Sequence, residues 1–239
     1  IPDLGNVWSV GVWSVGTAIL YFLTLATRNF AATLFDMDTV KRHNLDRSPI
    51  FYERHVESPK VKVAKEYLAE VGVDHVFIEN CALNQSSLWQ ERQQGTPDLL
   101  ISAANERNVR PTIETGFPPT QIYGTTGKNY QASVIRHIAM KDPCSFCLFP
   151  DADTAPTACA TGTATTPEGE QRTDASLPFL SFAAGAMAAA EILKLSLPGY
   201  PFSSNRVVLN TMPHPRAVHA PLTLRTGCIC QTRSRDVHH

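Results

Sequence analysis

The stretch whose reading decides the fold is Phe30-Ala-Ala-Thr-Leu-Phe35, continued by Asp36-Met-Asp-Thr-Val-Lys-Arg-His-Asn-Leu-Asp-Arg47. Its first six residues carry no charge. That is the pattern of a strand buried in a parallel sheet. An acidic residue at the end of a second strand, about 20 residues after a glycine-bearing turn, is where a nucleotide's ribose is held. Asp36 meets that description. A dinucleotide site would stop there, but here Asn44, Arg47 and, beyond Ser58-Pro59, Lys60 follow. Two cations and an amide suit a polyphosphate, whose oxygens take charge-assisted hydrogen bonds.

Before this stretch, Asn6-Val-Trp-Ser-Val10 reads as the first strand, Gly11 to Gly16 as a turn and Thr17 to Thr27 as an apolar helix. This is a Rossmann-like opening with one fault. The middle glycine of Gly-x-Gly-x-x-Gly lets the backbone approach phosphate closely, and Trp13 holds that place. Gly11 and Gly16 remain as candidate loop glycines, although such a turn also serves simply to pack helix on strand. Val-Trp-Ser-Val-Gly occurs twice, at 7–11 and 12–16, which is too short for a structural repeat.

After Asp36, Ser58 is placed to cap a helix with Pro59 at its first position, and Val61, Ala64, Leu68 and Val71 give that helix its apolar stripe. Strands follow at His75 to Ile78, Asp98 to Ser102, Thr120 to Tyr123 and Ala132 to Ile138, with a short polar helix at Ser86 to Gln94. Residues 151–175, around Cys159, show no hydrophobic period and read as a long mobile crossover loop. Ser176 to Leu195 is a strongly apolar helix, and Arg206 to Leu209 and Ala220 to Leu224 are the last strands. Alternating strands and helices imply an α/β fold with a mostly parallel sheet and flanking helices, one domain over 1–239.

The chain has 239 residues, 43% hydrophobic and 18% charged, enough for a sizeable core. Its formal net charge of −1 offers no basic field for nucleic acid. The uncharged run between Asp3 and Arg28 is long enough to span a bilayer, but its glycines and polar residues divide it into strand, turn and helix. No basic segment precedes it as in a signal peptide, so no membrane association is expected. The chain starts at Ile1, almost on the first strand, and reads as a fragment or a shortened form. Four of the six cysteines pair as Cys144-x-x-Cys147 and Cys228-x-Cys230. That spacing fits a metal site in a reducing, cytoplasmic compartment better than a secreted disulfide scaffold, with free thiols or a disulfide as the alternatives.

Taken together, Asp36, Asn44-x-x-Arg47, Lys60 and the two cysteine pairs resemble the ThiF/MoeB/HesA superfamily, which includes the ubiquitin-activating enzymes. The resemblance runs from about Gly5 to Cys230. It implies ATP-dependent adenylation of a carboxylate at the C-terminus of a ubiquitin-like protein, a sulfur carrier or a peptide. Asp36 would grip the ribose, while Asn44, Arg47 and Lys60 would contact the phosphates. Cys144, Cys147, Cys228 and Cys230 would hold a structural Zn2+. Arg110 falls where the family has an arginine. Cys159 falls in the loop where many members carry the cysteine that takes the activated acyl group or persulfide. The resemblance also implies a homodimer, often with an arginine from an N-terminal segment, and no such segment precedes Ile1.

Three positions depart from the family pattern. Trp13 replaces a loop glycine, and Asn105 stands where an aspartate binds Mg2+. A neutral amide is a poorer ligand for that hard cation. The second cysteine pair is also one residue shorter than usual. Two rival readings follow. One is a catalytically impaired partner subunit, favoured by Trp13 and Asn105. The other is a nicotinamide-dependent oxidoreductase, favoured only by the generic opening and opposed by Arg47, Lys60 and the cysteine pairs.

Overall fold

The computed structural model describes residues 2–91, 97–104, 109–116, 118–127, 130–148, 163–165, 171–173, 177–202, 204–228 and 230. The chain runs β1 (Asn6–Val10), α1 (Ser14–Ala26), β2 (Ala31–Phe35), α2 (Lys60–Glu70), β3 (Val76–Glu79), α3 (Ser87–Gln90), β4 (Leu99–Ser102) and α4 (Val109–Gly116). It continues through β5 (Thr120–Gly127), β6 (Gln131–Ile138), α5 (Ser145–Leu148), β7 (Thr163–Thr165), β8 (Gln171–Thr173), α6 (Pro178–Leu195), β9 (Arg206–Asn210) and β10 (Arg216–His219).

The main sheet has the order β10-β9-β6-β5-β4-β1-β2-β3. From β3 to β5 every neighbouring pair is parallel. From β5 to β10 every pair is antiparallel. The fold is therefore α/β with a mixed sheet, its parallel half carrying the Rossmann-like part. β1 lies between β2 and β4, so the strand order reverses beside it. The crevice at the carboxyl ends of the strands flanking such a reversal is where open α/β sheets take ligands.

Both faces of the sheet are covered, which explains why β1, β2 and β4 read as uncharged, mostly apolar runs. On one face Val7, Leu34, Ile101 and Ile122 join Ile19 and Leu23 of α1, Ala64 and Leu68 of α2, and Ala184, Ala188 and Ile192 of α6. On the other, Trp8, Val10, Phe35, Leu100 and Tyr123 join Leu83, Trp89 and Ile113. The uncharged run from Asp3 to Arg28 becomes β1 and the 13-residue α1, too short to cross a bilayer. Among the described residues one helix is long and apolar enough to do so, Pro178–Leu195. It is α6, laid against α1 and the sheet.

Several expected boundaries shift, first that of α1, which begins at Ser14 and not Thr17, so that Gly16 lies within the helix. Ser58 does not cap α2: Pro59 stands at the N-cap and the helix begins at Lys60. The Ser58 carbonyl is instead engaged by the Val40 amide at 2.8 Å, beside a Thr39–Pro59 bridge, and this holds the chain extended one residue longer. Ser86 does cap α3, its Oγ accepting from the Trp89 amide, but that helix spans only Ser87–Gln90. The last strand is Arg216–His219 and not Ala220 to Leu224. Pro221 supplies no amide to a ladder, whereas Arg216 to His219 pair in register with β9. Within 151–175, expected as loop, β7 and β8 form a small antiparallel ladder rich in β-branched threonine. The remainder of that segment, Cys159 included, lies outside the described residues. Helix α4 was not expected.

α1 and α6 cross closely at Gly185. A Cβ added there would lie 2.8 Å from the Ala18 carbonyl carbon and 3.0 Å from the Ile19 amide nitrogen. Backbone cannot move aside as a flexible side chain can. Gly185→Leu should therefore destabilise the fold by about 1–3 kcal/mol through overpacking, read as a lower midpoint in urea unfolding. An unchanged midpoint would mean the crossing is looser than it looks.

Candidate nucleotide-type site and thiol cluster

The turn after β1 is set by its glycines. Gly11 adopts φ +86°, and a Cβ there would lie 2.7 Å from the Ala104 amide nitrogen. A Cβ on Gly16 would collide with the Gly11 carbonyl oxygen. These glycines bring helix α1 down onto β1 and β4. Trp13 takes the N-cap position of α1 with extended backbone and no side-chain cap hydrogen bond.

Asp36, just beyond β2, ties the turn in place. Its Oδ2 accepts from the Val12 amide at 2.7 Å and its Oδ1 from the Asp38 amide at 2.9 Å. Burial raises its pKa above the ordinary carboxylate value, while the Lys60 charge and the two amides oppose that rise. Each carboxylate oxygen has two acceptor sites, so two amide donors leave capacity for further hydroxyl donors.

Residues Arg42–Arg47 form a 3-10 helix that carries Asn44 and Arg47 inward. Asn44 is buried, and its Oδ1 accepts from the Lys41 amide at 2.8 Å. Arg47 is buried, donating from Nη2 to the His43 carbonyl at 2.8 Å, with the exposed Asp46 carboxylate 3.5 Å away. Lys60 opens α2, its side chain 3% exposed and its Nζ 2.7 Å from Asp38 Oδ2. The indole of Trp13 meets both cations: Lys60 Nζ lies 4.6 Å and Arg47 Cζ 5.5 Å from its ring centroid. Its Nε1 is buried with no hydrogen-bond partner among the described residues.

A cavity of about 330 Å³ opens here, lined by Trp13, Asp38, Thr39, Lys41, Asn44 and Lys60 among others. Sequence reasoning had singled out Trp13, Asn44 and Lys60. It missed Asp38, the ion partner of Lys60, whose signal was its place two residues after Asp36. Asn105 lies outside the described residues. Arg110 lies on α4, its Cζ 6.0 Å from the Tyr123 ring centroid, and burial lowers its pKa.

The four paired cysteines come together. Cys144, Cys147, Cys228 and Cys230 place their sulfurs within 4.8 Å of one another. Cys144 Sγ is 3.4 Å from Cys228 Sγ, and Cys147 Sγ is 3.7 Å from Cys230 Sγ. All four are free thiols. Tetrahedral zinc with bonds of about 2.3 Å sets its sulfurs about 3.8 Å apart, so the spacing fits such an ion closely. Burial pushes the Cys230 thiol up to about 11, and burial with the Glu114 carboxylate pushes Cys144 higher. Burial also raises Cys228, but the Cys230 amide and the neighbouring thiols outweigh it and bring that thiol below its ordinary value.

Glu114 joins this cluster to the sheet. Its Oε1 accepts from the Ser145 amide at 2.9 Å, from Ser145 Oγ at 2.8 Å and from the Tyr123 hydroxyl at 3.3 Å.

Comparison with known proteins bears on this arrangement. No curated protein matches the chain by sequence. Among solved structures, E. coli MccB bound to MccA-N7isoASN is similar with a TM-score of 0.71 at 16% identity, over 94% of this chain and 66% of that one. The microcin C7 biosynthetic enzyme MccB in complex with N-formylated MccA gives 0.70 at 19% identity, over 94% and 67%. PaaA gives 0.62 at 17% identity, over 92% and 65%. At these identities the likeness is one of fold, and the chain spans just under two thirds of the E. coli MccB chain. The profile described as "ThiF family" matches residues 7–226. With nearly its whole length matched by that profile, the chain belongs to the ThiF family.

Proposed function

We propose that this chain adenylates the C-terminal carboxylate of a peptide, ubiquitin-like protein or sulfur carrier, using ATP. The observation that carries the reading is the crevice beside the strand reversal, lined by Asn44, Lys60 and Trp13, with Arg47 against the Trp13 ring and Asp36 hydrogen-bonded to the turn before it. Family membership supports it, and so does the likeness to E. coli MccB, which has been solved with ATP and with MccA. The MccB likeness favours a peptide among the carboxylate donors.

In the reaction a carboxylate oxygen forms a bond to the α-phosphorus, the bond from that phosphorus to the β-phosphate bridging oxygen breaks, and pyrophosphate leaves. Arg47 and Lys60 neutralise the phosphates and hold them for in-line attack. Asn44 orders the Lys41 end of the crevice. Asp36 takes the ribose hydroxyls while fixing the turn. Catalysis of this kind is positioning and charge stabilisation. Magnesium would neutralise phosphate oxygens when bound, and Asn105 is the residue expected to meet it. Cys159 would receive the activated acyl group where the pathway needs a thioester or persulfide. A homodimer in a reducing, cytoplasmic setting fits the family and the free thiols.

A second reading is an impaired partner subunit, favoured by the Trp13 ring resting on both phosphate-type cations. Carboxylate-dependent pyrophosphate exchange into ATP separates the two, provided the true carboxylate is supplied.

Binding is testable without that substrate. Arg47→Met and Lys60→Met keep the aliphatic stems but remove the charges. Each should weaken ATP binding by about 1.5–3 kcal/mol in calorimetry, the worth of a charge-assisted contact. Unchanged affinity in both variants would move the site elsewhere.

The thiol cluster should hold one zinc. Four thiolates make a closed structural site with no open position for catalysis. Elemental analysis of protein purified without chelator should find one zinc per chain, and Cys144→Ser should lose it. Finding no metal, with all four thiols freely titratable, would refute the assignment.

A further inference from the structure

We infer that Trp13 is a specificity-determining residue whose indole keeps the place of phosphate, covering Arg47 and Lys60 until a polyphosphate displaces it. The inference rests on the nucleotide-site reading above.

The two cations, Arg47 and Lys60, set the requirement. Both are buried, and a buried charge needs partners on every open side. Lys60 has Asp38 on one side. Arg47 has the His43 carbonyl and a long contact to an exposed carboxylate. What remains of each meets the π-face of Trp13, at 4.6 Å for Lys60 and 5.5 Å for Arg47. An aromatic face attracts cations through its quadrupole, so the ring does weakly what an anion would do strongly. The indole nitrogen does not anchor the ring to any of the described residues, among which it has no hydrogen-bond partner. Nor does the side chain cap α1. The ring lies on the wall of the cavity against the charges it covers, and it can be exchanged for something that covers them better.

Phosphate does so. Charge-assisted hydrogen bonds from Arg and Lys to phosphate outweigh a cation–π contact. The exchange is favourable only for a ligand that brings enough charge to satisfy both cations at once. Trp13 therefore lowers affinity for phosphate-bearing ligands and leaves that for a bare nucleoside unchanged. Adenosine gains nothing from its removal, and a triphosphate gains most.

The test titrates adenosine, ATP and inorganic tripolyphosphate into the intact chain, Trp13→Phe and Trp13→Ser. Serine is a good N-cap, so the start of α1 is not weakened. Trp13→Ser should bind ATP and tripolyphosphate about tenfold more tightly, corresponding to loss of the two ring–cation contacts. Adenosine should bind equally to all three proteins. Trp13→Phe, with a ring of weaker quadrupole, should fall between, and this variant decides the matter if the serine variant folds poorly. Tryptophan emission should change on adding tripolyphosphate to the original chain and stay constant in Trp13→Phe, where the buried Trp8 and Trp89 remain.

Equal tripolyphosphate affinity in all three proteins overturns the inference, and if ATP still binds tightly the nucleotide reading survives it. If tripolyphosphate shows the exchange but ATP binds no better than tripolyphosphate, the inference stands and the adenosine nucleotide reading fails. Absence of binding by every probe to every protein overturns both.

Discussion

The structure depends on one carboxylate. Asp36 joins the turn after β1 to the segment after β2 by accepting one backbone amide from each. Beside it the Gly11 amide donates to the Phe35 carbonyl at 2.9 Å. The same two hydrogen bonds determine where Trp13 stands and from which direction Lys60 arrives, because Val12 precedes the one and the Asp38 carbonyl accepts the amide of the other at 3.0 Å. Removing the carboxylate would leave two amides to find water in a crowded crevice, and burial already strains its ionised form. The site is thus organised by backbone, with the cations placed as a consequence.

A second set of ties runs through the far side of the sheet. Glu114 draws the thiol knuckle, α4 and β5 together through Ser145 and Tyr123. Arg136 does comparable work behind β6. It is 3.0 Å from Asp142 and 3.5 Å from Glu191, with the Phe202 ring 4.0 Å from its guanidinium carbon. Buried charges of this kind give little net stability, but each is costly to leave alone, so they fix one arrangement among several. The antiparallel half of the sheet is held to the Rossmann-like half by such contacts as well as by apolar packing.

Much of this was legible in the chain. Strands buried on both faces announce themselves as apolar runs, so β1, β2 and β4 were readable to within a residue. Asn44 and Lys60, expected to act together, line one cavity. The thiol cluster was readable because paired cysteines cannot be spaced that way by packing needs alone. The misses have physical causes. α4 is short and polar enough to show no clear stripe, its apolar content being Val109, Pro111 and Ile113. The start of α2 was displaced by a tertiary bridge to Thr39 that no local rule contains. Asp38 was overlooked because an acidic residue in a loop has no signature until a lysine 22 positions later is brought against it. The contact of Trp13 with two cations, likewise, is a product of three segments meeting.

The thiol cluster has a consequence for how this chain can vary. It joins sulfurs 84 residues apart in sequence, closing into a ring a segment that includes α6, β9 and β10. The free energy of closing a loop grows only with the logarithm of its length, about 0.6 kcal/mol for each doubling. By that measure a change in length between α5 and α6 alters the closure term only slightly. The cluster therefore separates a part of the sequence that must keep its geometry from a part whose length is free to drift. Diversity among such chains is expected to collect in the crossover, where new recognition surface can be added without reworking the crevice.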